Sequence, residues 1–488
     1  MLNKMRTIIK NDVFLLLLSI TLYVIPFISF NLFPLNWIFF SIILYLLTIR
    51  KYNPVLLGFL FGLLSILIGQ YWLTETLISL GKIPTYQALI IHILYASYES
   101  IFFIILFVFS KKLIDKSKEN LLINYLLIIF FWIIVENIFP RIFPYKLGNT
   151  QILFYPLNQM ISFFGINFLS IFILIINIIF FELYKLKKIK IFYFVCTIMV
   201  LFIYSDKLLV QKEYLIKTSE SLKISIIQPN NKKENLIKLS SENTDNIDLY
   251  IWPESSIEFI DLNVKNNLNF LRNRINFKFN KIIFGSITKK EEDYFNSALV
   301  MDKNFNLVDY KNKKKLLIYG EYYPFKKIIS KLIPRYDNFI DLKKGKDKFI
   351  KIKKDIFAEI YICYEDLFEN SLSDNKTDKD SGLLINITND IWYGDSIASY
   401  QHLMLSIPRS LEQNKFFIRS ANNGISAVIS PNGKILRKID ANKVDKIIFD
   451  LPIIKQKTFY YENKKNIYNL FYLTFIILIV LKKFIKKF

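Results

Sequence analysis

Three short apolar runs in the second half of this chain each end in a group able to do chemistry. Leu249 to Pro253 leads to Glu254, Ala358 to Ile362 leads to Cys363, and Leu383 to Ile387 leads to Thr388, Asn389 and Asp390. Runs of this length, rich in β-branched residues, read as strands. In sheets with helices on their faces, ligand sites gather at the carboxyl ends of strands. The only other cysteine, Cys196, falls inside a long apolar segment. The Cys363 thiol is therefore either an inert buried residue or a nucleophile. A nucleophilic thiol needs a base to take its proton and a donor to hold the oxyanion of an acyl intermediate. Glu254 can act as that base and one of several lysines as that donor. His402 raises the thought of a Cys–His dyad, but nothing in the sequence brings it to Cys363.

The elements that position these groups follow from the flanking pattern. Strand-like runs cover Leu222 to Ile227, Leu249 to Trp252, Lys281 to Ile287, Ala298 to Met301, Ile356 to Ile362, Leu383 to Ile387, Phe416 to Ile418 and Ser426 to Ser430. Helical spacing is expected over Asn263 to Phe277 and Tyr400 to Gln413, and mobile loops over 231–246 and 370–381. Strands with interleaved helices argue for an α/β or α+β sandwich over residues 207–465.

The rest of the chain is apolar in blocks. Hydrophobic residues make up 53% of the 488 and the mean hydropathy is +0.30, the pattern of a polytopic membrane protein. Residues 13–49 lack charge and are interrupted by Pro26, Asn31 and Pro34, so they read as two spans. Further spans are expected at 52–74, 86–110, 121–140, 155–183, 191–206 and 466–481. The expected organisation is a seven-helix membrane domain over 1–206, an extramembrane domain over 207–465, and a last membrane helix with its tail over 466–488. Seventeen lysines and arginines fall in one set of alternate segments and three in the other. Positive charge stays in the cytoplasm, which puts 207–465 outside it. The basic start precedes an apolar run without a small-residue cleavage pattern, so an uncleaved anchor is expected. His92 and the ionisable Glu99, Glu136 and Arg141 fall within or at the ends of spans, where such groups are paired or functional. An ion pair, a headgroup contact and a substrate-entry role are all open for Glu136 and Arg141.

Two cysteines and two histidines nearly exclude a zinc cluster, an Fe–S centre and a disulfide scaffold, each of which needs several thiolates or imidazoles. The net charge of +23 suits cytoplasmic anchoring and anionic lipid heads, and no nucleic-acid motif accompanies it.

The order WPES (252–255), KNKKKLLIYGEYYP (311–324) and YICYED (361–366) resembles the Glu, Lys, Cys triad of the nitrilase superfamily, and more narrowly the apolipoprotein N-acyltransferase family. YFNSALVMD (294–302), LLINITNDIWYGDS (383–396), YQHL (400–403) and RSANNGISAVISPNGKIL (419–436) agree with it. So do VENIFPRIFP (135–144), GNTQ (148–151) and NQMISFFGINFLSIFILIIN (158–177) in the membrane half.

The resemblance implies about eight membrane spans joined to a nitrilase-like αββα sandwich. It implies Cys363 as nucleophile, Glu254 as general base and Lys313 as the cation on the oxyanion, chosen from its neighbours Lys311, Lys314 and Lys315 by the K-x-x-L-x-x-x-G-E pattern. Glu321 and Glu365 would orient Lys313 and the thiol, and Tyr364 would shape the acyl pocket or the loop that carries Cys363. The aromatic that the family places after its Q-x-N start is absent after Gln228, and Ile318 and Tyr319 replace a proline and a phenylalanine. The implied reaction moves an acyl chain from a phospholipid to the N-terminal amine of a diacylglyceryl apolipoprotein through a thioester, at the bacterial inner membrane with the sandwich in the periplasm. No metal or cofactor is called for. A membrane-tethered amidase and a non-enzymatic transporter or scaffold are the rival expectations.

Overall fold

The computed structural model describes all residues except 1, 80, 116–119, 156, 189–190, 192–219, 243–245, 265–267, 273, 276, 325, 327–339, 370–380 and 486–488. The membrane half comprises Leu2–Ile28 (α1), Phe39–Thr48 (α2), Pro54–Gly69 (α3), Trp72–Ser79 (α4), Thr85–Asp115 (α5), Leu121–Ile138 (α6), Ile161–Phe164 (α7) and Asn167–Lys185 (α8). Among the described residues six helices are long and apolar enough to cross a membrane, and a seventh counts if α3 and α4, bent by 57°, form one span. The two spans expected in 13–49 are present, divided by a 3-10 segment that is non-helical at Leu32 and contains Pro34. The span expected over 155–183 begins only at Asn167. Gly165 has a φ of 72° against the ring of Tyr460, which stops the preceding turn. The span expected over 191–206 lies outside the described residues, apart from Ile191.

Several ionisable groups in this half find partners within it, as the cost of burying a charge in hydrocarbon favours, although Glu99 Oε1 is buried without a hydrogen-bond partner. Arg141 Nε donates to Glu99 Oε2 at 2.7 Å, and its guanidinium lies 5.1 Å from the Phe102 ring centroid. Glu136 accepts from the Leu147 N–H at 2.7 Å and from Ser170 Oγ at 2.9 Å. His92 Nδ1 lies 2.7 Å from Thr74 Oγ1.

The second half contains thirteen strands among the described residues: Ser221–Gln228 (β1), Leu249–Ile251 (β2), Ile257–Asp261 (β3), Lys281–Lys290 (β4), Asp293–Asp302 (β5), Leu307–Asn312 (β6), Phe349–Lys353 (β7), Ile356–Ile362 (β8), Ser381–Thr388 (β9), Phe417–Ala421 (β10), Ser426–Ile429 (β11), Ile435–Ile439 (β12) and Asp445–Pro452 (β13). One sheet runs β13-β1-β2-β4-β5-β6, with β3 on β4, and the other runs β12-β11-β10-β9-β8-β7. Alternation along the strands divides the apolar side chains between faces. Ile224, Ile226, Leu249, Ile251 and Ile283 meet Ile360, Ile362, Ile385, Ile387 and Ile418 between the sheets. Tyr250, Trp252 and Phe284 face outward, where Leu236 and Leu239 of helix Lys233–Ser241 (α9) cover them.

Helix Ala398–Gln413 (α10) covers the other sheet, and Leu403, Ile407 and Leu411 share one core with Leu384 and Phe417 and with the membrane helices. This is a sandwich of helix, two sheets and helix. A final helix, Phe459–Ile485 (α11), starts earlier than the expected 466 and reaches past 481.

Two local expectations are corrected. Part of the loop expected over 231–246 is α9, held by a narrow stripe of Leu236, Leu239 and Ser240 in a polar segment. The helix expected over Asn263 to Phe277 is only a 3-10 turn, Asn269–Leu271, among the described residues. Its apolar side chains Leu268, Leu271 and Ile275 are buried from a series of turns.

Candidate active site

The parallel strands β1, β2 and β4 of one sheet and β8, β9 and β10 of the other bring their carboxyl ends to one side of the sandwich. Beyond β2, the Trp252 N–H continues the ladder to Ile283 O at 2.8 Å. Pro253 then leads to Glu254. A Cβ on Gly285 would sit 2.5 Å from Glu254 Cα, so only glycine lets β4 pass this close. Glu254 is 5% exposed. Its Oε1 accepts from Asn296 Nδ2 at 2.7 Å and its Oε2 from the Asn389 N–H at 2.9 Å.

Lys313 follows β6, and its N–H bonds Asn296 O at 2.7 Å. Lys313 Nζ lies 2.9 Å from Glu321 Oε1, 3.8 Å from Glu254 Oε1 and 5.4 Å from the centroid of the Tyr364 ring. Glu321 Oε2 accepts from the Leu317 N–H at 2.7 Å. The neighbouring lysines go elsewhere. Lys311 Nζ donates to Glu365 Oε2 at 3.0 Å, Lys314 pairs with Asp347, and Lys315 lies over the Phe368 ring.

Cys363 opens a 3-10 turn, Cys363–Leu367, directly after β8. Its φ of 55° is a left-handed conformation that side-chain-bearing residues adopt at a cost, commonly where function requires it. Glu365 fastens this turn to the one carrying Lys313. It accepts from the Ile362 N–H at 2.9 Å, the Lys314 N–H at 2.6 Å and the Lys315 N–H at 3.1 Å. Glu365 therefore contacts the backbone and Lys311, while Glu321 touches Lys313 itself. Tyr364 OH donates to Leu316 O at 2.9 Å, and Asn386 Nδ2 donates to Cys363 O at 2.7 Å.

Electrostatics divide the roles. Burial pushes the Glu254 carboxyl above its ordinary range, Lys313 opposes that, and Glu321 reinforces it. Burial works against the Lys313 ammonium, but Glu321, Cys363 and Glu254 together hold its pKa well above normal. The Cys363 thiol is pushed up by burial and then by Glu254, with Lys313 opposing. A neutral thiol, a carboxylate of raised basicity and a permanent cation thus share one buried field. This arrangement suits proton transfer to the carboxylate as the sulfur attacks, with positive charge ready for an oxyanion.

His402 does not partner the thiol. Its ring lies between Asp366 and Asp390, with Nε2 3.0 Å from Asp366 Oδ1 and Nδ1 3.2 Å from Asp390 Oδ1. Among the described residues no group of three or more His, Cys, Asp and Glu side chains is arranged to hold a metal. The turn after Gln228 is pinned by the Asn230 N–H to Asn422 O at 2.8 Å and the Asn231 N–H to Asn422 Oδ1 at 2.8 Å.

The model of the apolipoprotein N-acyltransferase N-terminal domain matches residues 19–179, and the carbon-nitrogen hydrolase model matches 231–453. An apolipoprotein N-acyltransferase of Wigglesworthia glossinidia brevipalpis is 29% identical over 451 residues, covering 86% of this chain and 87% of its own. The chain is similar to apolipoprotein N-acyltransferases along most of its length. The apolipoprotein N-acyltransferase of Rickettsia prowazekii is 37% identical over 215 residues, 42% of each chain. Among solved structures, a CN-hydrolase superfamily protein from Xanthomonas campestris covers 48% of this chain and 91% of its own at 16% identity and a TM-score of 0.35.

Reading the residues in order did not single out Asn296, whose one amide nitrogen serves both Glu254 and Glu321, nor Asn386, Asp366 and Arg419. Their signal was a polar side chain inside or abutting an otherwise apolar strand run, since a buried polar group needs a partner.

Proposed function

We propose that this acyltransferase works through Cys363, Glu254 and Lys313 in two half-reactions. In the first, Cys363 Sγ attacks the carbonyl carbon of a phospholipid acyl ester and Glu254 takes the thiol proton. Lys313 faces the negative charge that develops on the carbonyl oxygen. The ester C–O bond then breaks, Glu254 returns the proton to the leaving oxygen, and a lysophospholipid departs from the thioester. In the second, the free α-amine of a diacylglyceryl-cysteine at an apolipoprotein N-terminus attacks that thioester. The N–C bond forms, the C–S bond breaks, and Glu254 passes the amine proton to the sulfur. A thioester and an amine give an amide downhill, so the chemistry needs no external energy source.

The observation that carries this reading is the 3.8 Å approach of Lys313 Nζ to Glu254 Oε1, in a buried cluster whose charges act on the Cys363 thiol. Supporting it, Tyr393, three residues past Asp390, stacks edge-on to Trp72 of α4 at 5.1 Å, so the site is built against the membrane helices. Such proximity brings lipid chains to the thiol without a diffusive encounter. In this reading residues 1–206 and 466–488 anchor a catalytic domain of 207–465. The bias of lysines and arginines toward alternate segments supports an inner-membrane protein with that domain on the periplasmic side.

The test uses the full chain in vesicles holding a phospholipid with a labelled acyl chain and a synthetic diacylglyceryl-cysteinyl peptide. The expected products are N-acylated peptide and lysophospholipid in equal amounts. Release of free fatty acid without peptide acylation would replace this reading with a hydrolase.

A further inference from the structure

Helix α10 is enclosed on all sides, with fifteen of its sixteen residues buried, and two consecutive side chains serve opposite neighbours. Gln401 belongs to the membrane half. Its Nε2 donates to Phe27 O at 3.2 Å and to Gly69 O at 3.2 Å. Its Oε1 accepts from Trp72 Nε1 at 2.9 Å and Tyr145 OH at 3.3 Å. These bonds use every donor and acceptor position of an amide side chain. They reach the end of α1, the bend between α3 and α4, and the segment after α6.

His402 turns about 100° around the helix, to the strand ends. A guanidinium only donates, and Arg419 Nη2 lies 2.9 Å from His402 Nδ1. Nδ1 therefore either accepts from Arg419 or is protonated toward Asp390. In both states Nε2 carries the proton that it gives to Asp366 Oδ1 at 3.0 Å.

Asp366 lies three residues after Cys363 on the same 3-10 turn, where i and i+3 share a face. Asp390 follows Asn389, whose N–H holds Glu254. One imidazole thus ties the segment carrying the thiol to the segment holding the carboxylate. Arg419 closes the cluster, donating to Asp390 Oδ2 at 2.7 Å and to Asn386 Oδ1 at 2.8 Å, and Asn386 in turn holds Cys363 O.

We propose that His402 is a positioning residue that sets the Cys363 turn against Glu254, while Gln401 anchors the same helical turn to the membrane half. Docking of the catalytic domain on the membrane helices and the geometry of the reacting groups are then fixed by one element. This inference rests on Cys363 and Glu254 acting as nucleophile and base.

The experiment follows alkylation of Cys363 by iodoacetamide across pH, read by peptide mass on the full chain in phospholipid vesicles. In the wild type, Glu254 assistance gives a limb of reactivity at mildly acidic pH, well below the titration of the thiol itself. Glutamine at 402 presents a donor where Nε2 lies, and asparagine presents one only where Nδ1 lies. His402→Asn is expected to lose the acidic limb, reacting about tenfold more slowly there, in keeping with the cost of a small misplacement. His402→Gln is expected to retain it. Simple loosening of the fold would affect both variants and would expose the thiol, raising its reactivity at alkaline pH.

If both variants keep the limb, or both lose it equally, the His402 to Asp366 link does not set the geometry and the proposal fails. If either variant is not recovered folded, Asp366→Asn decides: loss of the limb supports the link and retention overturns it. A wild type without any acidic limb would instead count against Glu254 as base, and the positioning proposal would fall with it.

Discussion

Glu254 and Glu321 meet on a single atom, Asn296 Nδ2, which lies 2.7 Å from Glu254 Oε1 and 2.7 Å from Glu321 Oε1. Two carboxylates held this close repel each other. Lys313 answers that repulsion, 2.9 Å from one and 3.8 Å from the other. The Glu254 carboxylate therefore owes its state to a neutral amide and a cation acting together.

The pH profile of acylation follows from this. As the proposed base, Glu254 must be ionised to accept the thiol proton, and its folded pKa lies above the ordinary 4.5, chiefly through burial. The acylation rate should fall as pH drops through that raised value. Asn296→Ala removes a donor that favours the ionised form, so it should move the midpoint to higher pH. The midpoint of the rate against pH, measured on both proteins, checks the sign, and a shift to lower pH would refute it.

If Lys313 serves the oxyanion as proposed, Lys313→Met should lower the acylation rate by about 10²- to 10³-fold, the usual cost of removing one oxyanion donor. Lys313→Arg should not restore it, because a planar fork cannot replace a compact ammonium against Glu321 and the Tyr364 ring. Single-turnover kinetics with a phospholipid donor distinguish these outcomes.

Gly285→Ala changes no reacting group, yet its Cβ would meet backbone at Glu254 Cα. The variant should fold and lose most of its activity, because Glu254 is displaced from Asn296 and Asn389. Thermal unfolding beside activity gives the comparison, and full activity would show that β4 can move aside.

Glu365 contributes to stability in a pH-dependent way. Burial raises its pKa, but Lys311 and the N–H groups of Ile362 and Lys315 outweigh burial and hold it below the usual carboxylate range. A depressed folded pKa gives stability that is present above the unfolded pKa and is lost as pH falls through the folded one. Glu365→Gln leaves the Lys311 ammonium buried without its counter-ion, which should cost about 3–5 kcal/mol at neutral pH. Chemical denaturation of the solubilised full chain at neutral and at acidic pH should show that difference shrinking toward acid.

How much of this was legible in the sequence depended on the range of the interaction. Local patterns carried far. The apolar runs before Glu254, Cys363 and Asn389 are the ends of β2, β8 and β9, because a strand's side-chain alternation and length are written in a few consecutive residues. Lys313 was separable from Lys311, Lys314 and Lys315 only through a family pattern, since what distinguishes the four is which carboxylate each meets after folding. Helix α9 was hidden because Leu236 and Leu239 are nearly all of its apolar face. The spacing of Leu268, Leu271 and Ile275 suggested a helix where separate turns bury the same side chains. The roles of Gln401 and His402 could not be read at all, because their partners, from Phe27 to Arg419, are distant in the chain.

The central claim is that Cys363 carries the acyl group between donor and acceptor. The direct test is the intact mass of the purified full chain after incubation with phospholipid, wild type beside Cys363→Ala. The account predicts a gain of one acyl chain on the wild type alone, removed by hydroxylamine and by addition of a diacylglyceryl-cysteinyl peptide. A wild type that gains no mass, or a Cys363→Ala variant that gains the same mass, would contradict it.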